Sequence, residues 1–269
     1  MSNTFADTLT SAISALPQTG LEDLDNVQLM RRFDTKFVVP EIWLPGLVEA
    51  LAPHSHVLSV AGEIECRYDN LYFELPGDKF LIDHLKGKAR RMKIRKRRYA
   101  SNDKTFLEVK KRLPGRRTFK ERMETSNGMA PNFNAEEQAF LGARLRKADQ
   151  LIPQLTGGFK RTTFIDFERN ERVTVDRNLD AGLVGEHTAP LLKGMAIIEL
   201  KQPRPDRYSP IQFWLRSLEQ RKGIIGRKTS MSKYAVARLS RDNSIAGRAY
   251  ISTYRRLMDA QSWIGGKQV

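Results

Sequence analysis

Residues 92–99, MKIRKRRY, and residues 106–112, FLEVKKR, decide how this chain folds. Successive side chains of a β-strand point to opposite faces of the sheet, so a period of two sorts each stretch into two faces. Leu107 and Val109 form an apolar face in the second stretch. Charged side chains share one face of each stretch: Lys93, Arg95 and Arg97 with Tyr99 in the first, and Glu108, Lys110 and Arg112 in the second.

The same period recurs along the chain and predicts about eight strands. The first of them places Arg32, Asp34 and Lys36 on one face, and the last places Glu199 and Lys201 on one face. The predicted strands cover residues 30–39, 63–74, 90–99, 105–112, 117–123, 159–167, 171–176 and 195–201.

Charged faces that recur from strand to strand need a reason, because neighbouring cations repel. At about 4 Å a like-charged pair costs roughly 1 kcal/mol in water and roughly 4 kcal/mol at an effective dielectric constant near 20. For a single strand the simplest interpretation is a solvated outer face. Because several strands share the pattern and carboxylates recur among the cations, we favour a charged lumen. The expected fold is α+β: an antiparallel β-barrel that forms a tunnel, with helices packed outside.

Helix signals lie between and after the strands. They predict helices over residues 41–51, 135–149 and 210–222, with a fourth that begins near Ser232. The second has Asn134 as N-cap and Glu137 at the capping-box position. No repeat or low-complexity linker divides the chain. We expect one domain over residues 27–240, a flexible leader over residues 1–26 and a basic tail over residues 241–269 that no pattern places.

The composition indicates an anionic partner. The 269 residues include 46 Lys and Arg against 31 Asp and Glu, a net charge of +15. Such a charge suits nucleic acid, an acidic membrane surface or a chain of phosphates.

Cys66 is the single cysteine, which excludes an internal disulfide framework. No apolar run is long enough to span a bilayer and the N-terminus lacks a signal-peptide pattern, so we expect a cytoplasmic protein without an integral membrane segment.

Nucleic acid is the main alternative partner, because residues 90–99 form a basic run that could be a surface patch. The run carries no flanking aromatic platform and no groove-reading helix motif. We therefore expect no nucleic acid as partner.

The motifs, taken in order, resemble the VTC domain of polyphosphate polymerases, within the triphosphate tunnel metalloenzyme (CYTH-like) superfamily. The resemblance covers residues 31–234, most of the chain. One departure is Asp34, which stands where many tunnel enzymes carry a glutamate of an ExExK motif. The pieces that carry the resemblance are RRFDTKFVV, RYDNLYFE, MKIRKRRY, FLEVKKR, FKRTTF, RVTVDRNL, AIIELKQ and SKYAVA.

The resemblance implies a tunnel whose cations hold a phosphate chain and whose carboxylates hold Mn²⁺ or Mg²⁺. It implies Glu199 as the metal ligand, with Glu108 as a second. Asp176 would be a lining residue and Tyr99 would brace its strand. The implied catalytic residues are Lys36, Arg95, Arg97, Lys110, Arg161, Lys201 and Lys233, and the implied substrate-binding residues are Arg32, Lys93, Arg172 and Ser232.

The activity that the resemblance implies is a metal-dependent polyphosphate polymerase, a phosphotransferase that uses ATP to extend inorganic polyphosphate. A triphosphatase or tripolyphosphatase on the same tunnel, and a non-catalytic polyphosphate-binding protein, remain open alternatives, since all three would use the same cations.

Some residues also have purely structural interpretations. Glu199 and Lys201 could form cross-strand ion pairs, Ser232 could be a helix N-cap alone, and Lys233 could be a surface charge.

Overall fold

The structure is a computed structural model that describes residues 2–23, 33–116, 118–218, 223–242, 245 and 248–265. Its strands are β1 (Gln18–Thr19), β2 (Phe33–Pro40), β3 (His56–Leu58), β4 (Cys66–Glu74), β5 (Arg91–Tyr99), β6 (Lys104–Arg112), β7 (Thr118–Glu124), β8 (Ile152–Asp166), β9 (Glu171–Leu183), β10 (Ala189–Pro190) and β11 (Met195–Gln202). Its helices are α1 (Ser2–Ser14), α2 (Leu44–Leu51), α3 (Lys79–Leu85), α4 (Ala135–Gly142), α5 (Pro210–Ser217), α6 (Lys233–Arg241) and α7 (Arg248–Gly265).

The strands form one sheet of 11 strands, in the order β2-β11-β9-β8-β4-β5-β6-β7 along its main path. Every pair along that path is antiparallel. The sheet curls so that side chains of β2 and β11 approach those of β5 and β6. Among the described residues β7 pairs only with β6, so the sheet is curled but not closed.

Two apolar layers cover the convex face of the sheet, and these layers position the strands. One contains Leu9 of α1, Leu47 of α2 and Ile211 of α5, packed against apolar side chains of β2, β9 and β11. The other joins Leu141 of α4 to Ile94 and neighbours on β5 and β6. Burying such side chains contributes about 1.5–3 kcal/mol each. The charged face is therefore the concave one.

A third apolar cluster lies within the curl, and we call its helices α3, α6 and α7 the plug. They pack onto concave side chains that include Tyr72, Leu155 and Leu179. Polar contacts fix the plug in place. Buried Glu74 accepts hydrogen bonds from the first turn of α3, at 2.8 and 2.9 Å, and from the Tyr234 hydroxyl of α6, at 2.6 Å. The plug thus covers a part of the concave face formed by β4, β8 and β9.

The predicted α+β fold with a curled antiparallel sheet is confirmed, and all eight predicted strands lie within or overlap observed ones. Strand β8 begins at Ile152, earlier than the predicted residue 159. The predicted start was too late because Gly157 and Gly158 interrupt the strand pattern in the sequence. A Cβ on Gly157 would lie 2.4 Å from the Asp180 carbonyl oxygen, so only glycine fits the strand there. Residues 30–32, 117 and 219–222 of the predicted strands and helices lie outside the described residues.

The helix predictions were correct in place but not in length. Asn134 and Glu137 form the predicted capping box, yet α4 ends at Gly142, and a separate 3-10 turn, Ala148–Gln150, follows. Residues 41–51 divide into a 3-10 turn, Glu41–Trp43, and helix α2. Ser232 caps α6 as predicted.

The N-terminal segment differs from the loose attachment expected of it, since Leu9, Ile13 and Leu16 are buried in the core. No helix in the described ranges is both long and apolar enough to cross a membrane.

Candidate functional site: a cationic channel

Strand register brings the predicted site residues onto the concave face. The side chains of two residues paired across neighbouring strands point to the same face of the sheet. Once one residue is placed on the concave face, its register partners are therefore placed there too. The pairs on this face are Lys36 with Glu199, Asp34 with Lys201, Lys201 with Arg172, Arg161 with Asp176, Asn70 with Arg97, Tyr72 with Arg95, Arg95 with Glu108, and Lys93 with Lys110. The predicted charged side chains therefore share the concave face of the curled sheet, and we call this face the channel.

Three lysines from different strands lie close together on the concave face. Lys93 and Lys110 lie directly opposite in register, and Lys36 comes from β2 across the curl. The Lys93 ammonium donates to Ser232 Oγ at 2.6 Å, and Lys36 donates to the Met231 carbonyl oxygen at 3.4 Å. Burial, followed by repulsion from Lys36, lowers the pKa of both Lys93 and Lys110. An anion placed among these three groups would relieve that repulsion.

Glu108 is the counter-ion of two cations from the neighbouring strands. Arg95 Nε and Nη2 donate to Glu108 Oε2 at 2.7 and 2.6 Å, and Lys120 Nζ lies 2.6 Å from Oε1. Burial opposes ionisation of Glu108, but Arg95, Arg97 and Lys120 together hold its pKa well below the usual range. Tyr72 Oη contacts Arg95 Nη1 at 3.2 Å. The guanidinium of Arg95 is thus fixed from two sides before any ligand arrives.

Asp176 has the same function on the opposite wall. Arg161 donates to both of its oxygens, at 2.5 and 2.7 Å, and Lys233 at the start of α6 also binds it. Burial opposes ionisation of Asp176, yet Arg161 and Lys233 lower its pKa. Burial in turn lowers the pKa of Lys233 to about 8, although Asp176 opposes that shift. Arg161 also lies 5.1 Å from the centre of the Phe159 ring, which leaves its position tightly defined.

Glu199 is the carboxylate best placed to hold a divalent ion. Its nearest cations are Lys201 at 3.3 Å and Lys36 at 3.9 Å, and its side chain retains 18% exposure, against 2% for Glu108. Burial opposes its ionisation, but Lys201 and Lys36 hold its pKa well below the usual value. No group of three or more His, Cys, Asp and Glu side chains in the described ranges could hold a metal alone. Mg²⁺ and Mn²⁺ often bind one carboxylate plus phosphate oxygens and water, and Glu199 fits that donor set. Glu108 fits it less well, because its ion pairs with Arg95 and Lys120 are closer, both at 2.6 Å, and leave less room for an ion.

The first turn of α6 enters the channel from the plug. Ser232 caps the helix by accepting from the Ala235 backbone N–H at 3.3 Å, and the same Oγ accepts from Lys93. The Ser232 backbone N–H donates to the Tyr250 hydroxyl of α7 at 2.6 Å. Ser232 is therefore an N-cap that also binds Lys93 of the channel, and Lys233 is an ion-pair partner rather than a surface charge.

The concave face also carries residues that the sequence patterns did not single out. Lys120 and Tyr72 complete the setting of Arg95, and Asn70 Oδ1 accepts from Arg97 Nε at 2.9 Å. Alternation along β7 could have found Lys120, since its register partner is Lys110. Arg32 lies outside the described residues.

Fold and site together define the class: an α+β protein whose curled antiparallel sheet carries Lys and Arg side chains on its concave face. The sequence matches the VTC domain over residues 31–240. That match covers most of the chain, and the chain belongs to the VTC domain family, as its motifs predicted. A search of curated proteins returned no match.

Solved structures of similar fold are distant in sequence. HpAC1 from Hippeastrum, described with a dominant triphosphatase activity, is 16% identical over 78% of this chain and 96% of its own, with a TM-score of 0.45. The PH1819 protein from Pyrococcus horikoshii OT3 is 13% identical over 78% of this chain and 98% of its own, with a TM-score of 0.44. At this level of similarity the family assignment rests on the sequence match.

Proposed function

We propose that the protein is a polyphosphate polymerase, which transfers the γ-phosphoryl group of ATP to the end of a polyphosphate chain held in the channel. The observation that carries the proposal is the group of three lysines, Lys36, Lys93 and Lys110. Repulsion from Lys36, after burial, lowers the pKa of both Lys93 and Lys110. A chain with a negative charge on every phosphate supplies the missing counter-charge in a row. Membership of the VTC domain family supports the same proposal.

Arginines and lysines have different tasks in this proposal. Arg95 and Arg161 are each held by a buried carboxylate, so their free N–H donors are oriented before the chain binds. An oriented guanidinium can bind two phosphate oxygens at once, which fixes the reacting phosphates in line. Lys93 and Lys110 are point charges on flexible stems, which suit a chain that moves by one phosphate after each transfer.

The proposed reaction exchanges one phosphoanhydride bond for another. A terminal oxygen of the chain attacks the γ-phosphorus of ATP, the bond between that phosphorus and the β,γ-bridging oxygen breaks, and ADP leaves with the bridging oxygen. The enzyme's contribution is alignment and charge neutralisation, because phosphoryl transfer requires little covalent work from the protein. Glu199 would hold Mn²⁺ or Mg²⁺ together with phosphate oxygens and water, and such an ion supplies further neutralisation between the phosphates.

The deciding experiment incubates purified protein with ATP and Mn²⁺ and analyses the products by gel electrophoresis. Long phosphate chains, with ADP as co-product, would support the polymerase. Release of orthophosphate without chains would instead assign a triphosphatase to the same channel. Binding of polyphosphate without turnover of ATP would make the protein a binder. Duplex DNA serves as competitor in the binding arm, because a helix about 20 Å wide has no place in a channel that holds a single phosphate chain.

The proposal predicts a specific phenotype for Glu199→Gln, which keeps the side-chain size and removes the charge. Turnover should fall at least about a hundredfold, since the position proposed for the metal loses its carboxylate. Affinity for tripolyphosphate without metal should stay within about threefold, because the cations remain. Both quantities are measured across a Mn²⁺ titration. Equal turnover with and without Mn²⁺ in wild-type protein would contradict the role given to Glu199.

A further inference from the structure

Helix α7 lies beyond residues 31–240, the part of the chain that matches the family, and yet it reaches the channel. Tyr250, in its first turn, is 6% exposed and packs in the apolar plug. Its hydroxyl accepts a hydrogen bond from the Ser232 N–H at 2.6 Å and contacts the Ser232 carbonyl oxygen at 3.4 Å. Both backbone groups of Ser232 therefore meet one side chain from outside the matched region.

This contact continues into the phosphate site. Ser232 Oγ accepts from the Lys93 ammonium at 2.6 Å, so Tyr250, Ser232 and Lys93 form one hydrogen-bonded chain. Lys93 belongs to the group of three lysines that carries the proposed function. Lys233, the next residue, binds Asp176 on the opposite wall. A shift of the Ser232 backbone would therefore move the hydrogen-bond acceptor of Lys93. It would also move the backbone of Lys233, the next residue.

We infer that Tyr250 is a positioning residue for phosphate-chain binding: it fixes the Ser232 backbone, and through Ser232 Oγ it orients Lys93 toward the chain. The inference rests on the proposed function, since it assigns a task within the same channel. A hydroxyl is suited to this task because it can accept from the N–H and donate to the carbonyl oxygen of one residue. Phenylalanine would fill the same volume and do neither.

The surroundings of Tyr250 are consistent with a rigid hydrogen bond. The ring of His84 lies 5.5 Å away, and the Tyr250 ring packs in the apolar cluster of the plug. Burial raises the pKa of Tyr250 to about 12, so the hydroxyl stays neutral and keeps its proton at physiological pH. Hydrogen bonds in such surroundings are costly to lose, because water cannot replace the missing partner.

The test compares Tyr250→Phe with Tyr254→Phe, a control on the next turn of the same helix. Tyr254 also packs against the plug, but no hydrogen bond of its hydroxyl occurs within the described residues. The probe is inorganic tripolyphosphate, measured by titration calorimetry on the full chain, with thermal unfolding of each variant in parallel. Tyr250→Phe should weaken binding about three- to tenfold, whereas Tyr254→Phe should leave it unchanged.

A double-mutant cycle separates positioning from a purely structural role. In a Lys93→Met background the Tyr250→Phe change should have no further effect on tripolyphosphate affinity, while its effect on thermal stability should remain. If the affinity losses of Tyr250→Phe and Lys93→Met are additive in the double variant, the inference is overturned. It is also overturned if Tyr250→Phe binds tripolyphosphate as tightly as wild-type protein, or if this variant fails to fold. If wild-type protein does not bind tripolyphosphate at all, the proposed function fails first and the inference fails with it.

Discussion

Lys233 illustrates at the scale of a single residue how closely charge is balanced in the channel. It is paired with Asp176, and its ammonium also lies 4.4 Å from the centre of the Phe159 ring. Burial lowers its pKa to about 8, and Arg161 adds to that effect. Lys120, on the opposite wall, has its pKa lowered by burial to about 8 as well. Part of the channel's positive charge is therefore lost a little above neutral pH.

This titration predicts a pH dependence of binding. A polyanion binds the protonated lysine better, so affinity for tripolyphosphate should be highest below about pH 8 and should fall as the pH rises toward 9.5. The variant Lys233→Arg keeps its charge over that range and should show a shallower fall. Calorimetric titrations of both proteins at several pH values give the comparison, and the ligand's own ionisation cancels because it is common to both. Parallel curves would show that Lys233 does not contribute.

Residue-level prediction from the sequence succeeded where alternation alone decides the face. Lys93, Arg95 and Arg97 lie on the concave face as predicted. By the same alternation Lys96 falls on the other face of this strand, but alternation does not show what covers that face. Lys96 is fully buried there and binds Glu137 of α4 at 2.9 Å. Which element packs on a strand is a long-range property, and a local period cannot show it.

Strand β5 shows at the element scale that its two faces have different functions. On its concave face Arg95 binds Glu108 within the channel, and its convex face holds Lys96 under α4 while Arg98 stays near the surface. Arg98 pairs with Asp69 at 2.9 Å and keeps 44% side-chain exposure. Arg98 is therefore the matched control for the arginines of the channel, and Lys96 is not.

For the concave face we predict that Arg95→Ala weakens tripolyphosphate binding about ten- to a hundredfold. The variant loses a charge-assisted contact and leaves Glu108 with one cation fewer. Arg98→Ala removes the same formal charge and should change affinity by a few-fold at most, because solvent and salt screen it. Calorimetry at one salt concentration on both folded variants decides the matter. Similar losses would indicate a general basic patch instead of a channel.

For the convex face we predict that Lys96→Met destabilises the protein by about 3 kcal/mol, because it leaves the Glu137 carboxylate buried without its cation. The ammonium also donates to the carbonyl oxygens of Ala130 and Asn132, both at 3.0 Å, so three contacts are lost together. Affinity of the folded variant for tripolyphosphate should be unchanged. Urea unfolding of Lys96→Met beside Arg98→Ala, which should lose under about 1 kcal/mol, tests this.

At the scale of the whole molecule, the sequence predicted the curled sheet but not the plug. Strand periodicity and the order of the motifs were sufficient for the concave face. Helix α3 is short, and the sequence from residue 241 onward shows no clear helical period, so neither α3 nor α7 has a strong local signal. Their places are set by burial of Leu81, Leu85 and Leu257 against the sheet and α6. Such packing depends on the finished fold and has no counterpart in a window of sequence.

The free edge of β7 has a consequence for how a polymer could reach the channel. Within the described part of the chain no strand closes the gap beyond β7, and Lys110, Lys120 and Arg122 beside it are open to solvent. A closed ring admits a polymer only when one end threads through it. A curled sheet with an open edge lets the middle of a chain enter the channel from the side. Loading and release then become independent of chain length, and a very long molecule can be gripped far from either of its ends.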